Sequence, residues 1–194
     1  MSSSNTPIAD GRPLPGDLAI WVFIMAELLV FAVFFMVFAW VKHQHMLQFQ
    51  TLQLQLHRNW GLLNTLFLLS GSFAMAEAAH RQNQGHKRSD ILITMMFALA
   101  CGIGFVFMKL HEFAVDTQTG MTLSSSLFAT FYWCMTFFHF MHVLLGLTII
   151  AIVTYKVAFL ELPEHYSGID TVASYWHMVD LVWLILFLQL YVLI

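Results

Sequence analysis

LFATFYWCMTFFHFMHVLLGLTIIAIVTY, residues 127–155, runs for 29 positions without a Lys, Arg, Asp or Glu. A helix needs about 20 largely apolar residues to cross the hydrocarbon core of a bilayer, so this stretch reads as one membrane span. Four more runs of the same kind lie at 18–41, 62–79, 91–108 and 172–194. In lipid every backbone N–H and C=O must be satisfied within the segment, which leaves helices as the reading for runs of this length. The expected fold class is an all-α membrane protein, a bundle of five transmembrane helices. A polar N-terminal segment, 1–17, precedes a single membrane domain, 18–194.

The composition agrees. Hydrophobic residues make up 59% of the 194 positions and charged ones 10%, against roughly 25% charged in a soluble domain. A water-soluble fold of this size could not bury so much apolar surface. Eight Lys and Arg and a formal net charge of −3 argue against a nucleic-acid footprint. Cys101 and Cys134 both fall in apolar runs and form no CxxC pattern, so no disulfide framework is expected. The first seventeen residues are polar and Pro-rich and lack a basic stretch, so no cleavable signal peptide is read there.

The connections are short except for HQHMLQFQTLQLQLHR, 43–58, which is Gln-rich. Met46, Phe49, Leu52 and Leu56 fit one helical face, whereas Leu52, Leu54 and Leu56 fit strand alternation. An amphipathic extension of the first helix near the membrane interface is the favoured reading. Basic residues set the expected orientation. Arg12, Arg81, Lys87, Arg88 and Lys156 fall on the N-terminal side, and Lys42, Arg58 and Lys109 on the other. That bias places the N-terminus inside and, after five spans, the C-terminus outside.

Glu27, His139, His142, His177 and Asp180 are the polar residues that lipid would tolerate least. A carboxylate at the centre of a membrane helix costs roughly 2.5–3.5 kcal/mol on insertion scales, so it should face protein and find a partner. His139 and His142 are three apart on one helix face with Gly146, and His177 and Asp180 repeat the spacing on the last span. A buried polar network joining the first, fourth and fifth spans is expected. Four roles stay open from spacing alone: haem ligation, metal binding, proton relay, and hydrogen bonds that fix helix register. Lys109 and Glu112, at i and i+3, read as an interfacial pair. Tyr132, Trp133, Tyr175 and Trp176 read as aromatic-belt residues near span ends. The run 101–104, Cys-Gly-Ile-Gly, reads as a close-packing site.

The order of five short motifs resembles subunit III of haem–copper oxidases (cytochrome c oxidase), in a five-helix form. MAELLVFAVFF carries Glu27 in the family's acidic position, and LLNTLFLLSGS resembles its Leu-Asn-Thr helix through Leu63, Asn64 and Thr65. GFVFMKLHEF ends in Glu112 and Phe113, and FFHFMHVLLG is similar to a His-x-x-His-Val run placed on His139, His142, Val143 and Gly146. YWHMVDLVW is the most specific, matching through Tyr175, Trp176, His177, Val179, Asp180, Val182 and Trp183. Phe137 and Phe140 replace the glycines usual around the first histidine, and Lys109 stands where oxidase members generally have Gln. That lysine, the LPGD lead-in at 14–17 and the small loops look more like the subunit III relatives associated with bacterial nitric oxide reductase.

The resemblance implies an accessory subunit of an oxidoreductase complex, non-catalytic by itself, in a bacterial inner (cytoplasmic) membrane. It implies no catalytic residue, no directly bound cofactor and no metal in this chain. Haem and metal are expected in a catalytic membrane partner subunit, with phospholipid bound alongside. The buried polar residues then hold helix register. An independent proton or ion conduit is the alternative.

Overall fold

The computed structural model describes residues 18–54, 56–160 and 166–193. The polar segment 1–17, with Arg12 and the lead-in at 14–17, lies outside the described residues, as does residue 194. Six α-helices follow one another: α1 Leu18–Gln44, α2 Met46–Gln53, α3 Arg58–Asn83, α4 Arg88–Gln118, α5 Leu127–Phe159 and α6 Ser167–Phe187. A π-helical turn, Leu188–Val192, extends α6. Among the described residues there is no strand. All but α2 are long and apolar enough to cross a membrane, which gives the five expected spans.

Helices α3, α4, α5 and α6 form a closed four-helix unit in which each packs on the next and α6 returns to α3. Helix α1 lies outside it, against α6. Its outer side keeps Val22, Met25, Leu29, Val33, Met36 and Trp40 exposed, the pattern of a helix whose far side meets lipid. Ser126 caps α5 by accepting a hydrogen bond from the Ala129 N–H at 3.0 Å. Gly85 and Gly120 close the turns after α3 and α4 at φ +70° and +87°, a backbone region that costs other residues more.

The third span corrects the expectation most. Helix α4 runs on ten residues beyond 108, to Gln118, because the charged residues that seemed to end it are satisfied inside the bundle. Within the segment 43–58, Met46–Gln53 forms a separate short helix after a turn at His45 rather than an extension of α1. Phe49 is fully buried between Phe38 and Phe128, at ring distances of 5.6 and 5.4 Å. Gln53 donates to the carbonyls of Gln189 at 2.8 Å and Leu190 at 3.1 Å. Those carbonyls lie at the end of α6, where helix geometry leaves acceptors without an internal donor.

Trp176 occupies the centre of the four-helix unit with no exposure. A Cβ on Gly102 of α4 would stand 2.9 Å from its ring, one on Gly146 of α5 3.0 Å, and one on Gly71 of α3 3.4 Å. Three helices therefore present hydrogen where a side chain would keep them apart, and the indole fills the space. Tyr132, Tyr175 and Trp176 are buried to within 1%, not placed in interfacial belts. Only Trp133 of that group is partly exposed, and its indole N–H donates to the Met121 carbonyl at 2.9 Å.

Candidate functional site

The five polar residues singled out above are not joined into one network by the described hydrogen bonds. Glu27 and His142 do meet: Glu27 Oε2 lies 3.0 Å from His142 Nε2, and the other ring nitrogen lies 2.8 Å from the Phe138 carbonyl. This contact bridges α1 to α5, beside the tilted ring pairs Phe31–Phe138 and Phe34–Phe138. His139 is fully buried, and neither of its ring nitrogens has a hydrogen-bond partner among the described residues. Its surroundings are aromatic: Trp183 at 5.3 Å, Phe105 at 6.0 Å and Phe31 at 6.4 Å between centroids. His177 turns to α3, where its Nδ1 lies 2.6 Å from Ser72 Oγ. Asp180 is buried, and its Oδ1 is without a described partner.

The densest polar cluster sits elsewhere, towards the end of the bundle where α4 finishes and α5 begins. Lys109 is wholly buried and Glu112 is 2% exposed, so they are a core ion pair instead of an interfacial one. Lys109 Nζ donates to Glu112 Oε2 at 3.0 Å, Tyr191 Oη at 3.2 Å and Tyr132 Oη at 3.4 Å. An ammonium has three donors, and all three are used. The rings of Phe113, Tyr132, Trp183 and Tyr191 surround the charge at 5.0 to 5.9 Å from their centroids, within the range where aromatic faces attract a cation.

Glu112 is equally well supplied. Asn64 Nδ2 reaches Oε2 at 3.4 Å, the Tyr191 hydroxyl donates to Oε1, and Tyr132 Oη lies 3.2 Å from Oε1. Tyr132 is also 2.7 Å from Asp116 Oδ2. A phenol has one proton to offer, so Tyr132 donates to one carboxyl group at a time. If either carboxyl carries a proton, that group can donate in turn and the count of bonds closes. The cluster gathers residues from α3, α4, α5 and the turn after α6, and it locks those four elements at one depth.

Asn64, Glu112, Trp176 and Trp183 are all buried. Asn64 and Glu112 meet in the charge cluster. Trp183 donates from Nε1 to Thr65 Oγ1 at 3.0 Å, tying α6 to α3. With Ser72–His177 and the Gln82 amide donating to the Tyr166 carbonyl at 3.0 Å, the α3–α6 seam is hydrogen-bonded at three depths. Sequence reasoning missed Tyr132, Tyr191 and Asp116. The available signal was the polar run Lys109, Glu112, Asp116 at helical spacing, which places all three near one face of α4.

Among the described residues, no three His, Cys, Asp or Glu side chains converge closely enough to hold a metal ion. His142 directs its two nitrogens to Glu27 and a backbone carbonyl, and His139 is walled by rings, so the pair does not open onto a common site.

Comparison with known proteins completes the picture. The family model for cytochrome c oxidase subunit III matches residues 15–193. Cytochrome c oxidase subunit 3 of Schizophyllum commune is 36% identical over 132 residues, covering 67% of this chain and 47% of that protein. The protein of the same name from Mycosarcoma maydis is 33% identical over 131 residues, 67% of this chain and 46% of its own. That from Tragelaphus oryx is 30% identical over 131 residues, with 67% and 49% covered. The chain thus spans about half the length of the curated relatives it matches. A family match through all five membrane helices, with the motif residues forming the buried seams, means that this integral membrane protein belongs to the cytochrome c oxidase subunit III family.

Proposed function

We propose that the chain is a non-catalytic accessory subunit of a haem–copper-type respiratory complex, supporting assembly, stability or sustained proton-coupled turnover of the catalytic subunit. One observation carries this reading. The motif residues Asn64, Glu112, Trp176 and Trp183 pack helix against helix in the core, where a structural part needs them, instead of lining a cleft. The partner is a membrane subunit that carries the haem and metal, and lipids fill the remaining apolar surface. No redox cofactor is bound by this chain itself.

Within the family, we read the identity of Lys109, where oxidase members generally have Gln, as a resemblance to the nitric oxide reductase relatives over an oxygen-reducing terminal oxidase. A lysine with all three donors used is built into the core and is not a neutral drift from glutamine. The same subgroup reading places the chain in a bacterial cytoplasmic membrane.

Deleting the chain is expected to leave the partner's haem spectrum unchanged while lowering yield or the number of turnovers before inactivation. The comparison is between complexes purified with and without the chain and followed over many turnovers. Equal activity and lifetime, with no copurification, would overturn the proposal, and stoichiometric haem, iron or copper in the isolated chain would overturn its cofactor-free part. The catalytic subunit that copurifies identifies the subgroup. The orientation has its own test, with the N-terminus inside. A membrane-impermeant thiol reagent applied outside is expected to label Ser124→Cys in the α4–α5 turn and to spare His86→Cys in the α3–α4 turn, both exposed positions. The reverse pattern would invert the topology.

A further inference from the structure

His177 is out of place for a residue that meets lipid. It sits ten residues into α6 from Ser167, about 15 Å at 1.5 Å per residue, which is mid-bilayer for a helix of this length. Yet it is exposed on the outside of the bundle. The other exposed ionisable side chains among the described residues, such as His80, His111 and Lys156, lie within two turns of a helix end, where they can reach water.

The imidazole is also held in a fixed pose. Ser72 Oγ on α3 takes its Nδ1 at 2.6 Å, and no described residue hydrogen-bonds its Nε2. Beneath it, Ser72 and Asp180 are both buried, at 5% and 6% exposure. Around it the surface is apolar, with Leu181 at 50% exposure on α6 and Phe73 at 73% and Leu69 at 41% on α3. A polar group in hydrocarbon without a partner costs several kcal/mol per group, whereas one that meets a polar side chain on a neighbouring helix is a recognised means of helix association.

We infer that the α3–α6 face centred on His177 docks a transmembrane helix of the catalytic subunit, one that presents a hydrogen-bonding side chain at mid-depth to His177 Nε2. This rests on the accessory-subunit reading and specifies its contact. The occupant is a helix and not a lipid chain, because an acyl chain has no group to pair with the imidazole. Leu181, Leu69 and Phe73 supply the apolar contact around that bond.

The test is copurification of haem with the affinity-tagged chain from its native membranes, for four variants and the parent. His177→Leu and Leu181→Trp are expected to lower the haem retained per chain at least tenfold, while Phe107→Trp on the lipid side of α4, where Phe107 is 70% exposed, leaves it unchanged. Thermal unfolding of each isolated variant in detergent controls for folding. His177→Leu also removes the bond to buried Ser72, so a lowered midpoint is expected for that free chain, whereas Leu181→Trp keeps the bond and is expected to unfold with the parent, which separates docking from folding. His177→Gln, which keeps a hydrogen-bonding group, is expected to restore part of the retention. Parental retention in both α6 variants, or loss only in Phe107→Trp, would overturn this docking face while leaving the accessory role standing. A parent chain that retains no haem subunit at all would overturn the accessory role itself.

Discussion

Lys109→Met lowers the unfolding free energy of the detergent-solubilised chain by about 3–5 kcal/mol, the range found when one partner of a buried ion pair is removed. Methionine approximates the volume of the lysine stem, so little of the loss comes from a cavity. The loss comes from Glu112, which keeps the Asn64 and tyrosine donors but has no cation within a medium that solvates it poorly. Lys109→Gln is milder, about 1–3 kcal/mol, because an amide donates to the carboxylate without neutralising it. Lys109→Met with Glu112→Gln recovers most of the loss, since both charges leave together. The measurement is a double-mutant cycle on denaturant unfolding in micelles. Additive losses would show that the two charges act independently, and a Lys109→Met chain as stable as the parent would remove the cluster from any account of what holds α3, α4 and α5 together.

Trp176→Ala is expected to cost a further 3–5 kcal/mol or so on the same scale, as for other large-to-small changes in close-packed cores. The indole is wholly buried and lies against Gly71, Gly102 and Gly146 on three helices, none of which has a side chain to move into the space. The reciprocal change acts by crowding. Gly102→Ala puts a Cβ 2.9 Å from the Trp176 ring and 2.5 Å from Leu147 Cδ2. The leucine tip can rotate away, but the ring is held on all sides, so about 1–3 kcal/mol is lost. Trp176→Phe shortens the ring, and the pair Trp176→Phe with Gly102→Ala is expected to cost less than the sum of its parts. Unfolding midpoints of the four chains decide it. A sum that is simply additive would mean that the glycines do not owe their absence of a side chain to this tryptophan.

These two sites differ in how far they could be read in advance. The glycine at 102 stood out as a close-packing candidate, and Trp176 belonged to the most specific motif. That the two meet depends on how α4 and α6 approach each other. The charge cluster was legible only in part. Lys109 and Glu112 are neighbours on any helix, but an i,i+3 pair of opposite charges looks the same at a membrane surface and in a core. Its burial depends on Asn64, Tyr132 and Tyr191, which lie 48, 20 and 79 residues from Glu112 along the chain. Their hydroxyl and amide groups remove the penalty that would have ended the span at 108.

The five expected central residues show the same divide. Spacing placed His139 with His142 and His177 with Asp180 correctly on common helices, because 3.6 residues per turn is a local property. It could not say that His177 would face Ser72 or that His139 would be enclosed by rings. The number of spans, their approximate limits and the presence of polar groups within them follow from the sequence by itself. Hydrocarbon imposes one demand, that each backbone group be satisfied within its own helix, and a run of apolar residues answers it locally. Which polar groups pair, how far α4 extends and which face keeps an exposed histidine were decided by the tertiary structure. A side chain's cost in the bilayer depends on donors and acceptors brought from other helices, and no local stretch contains them.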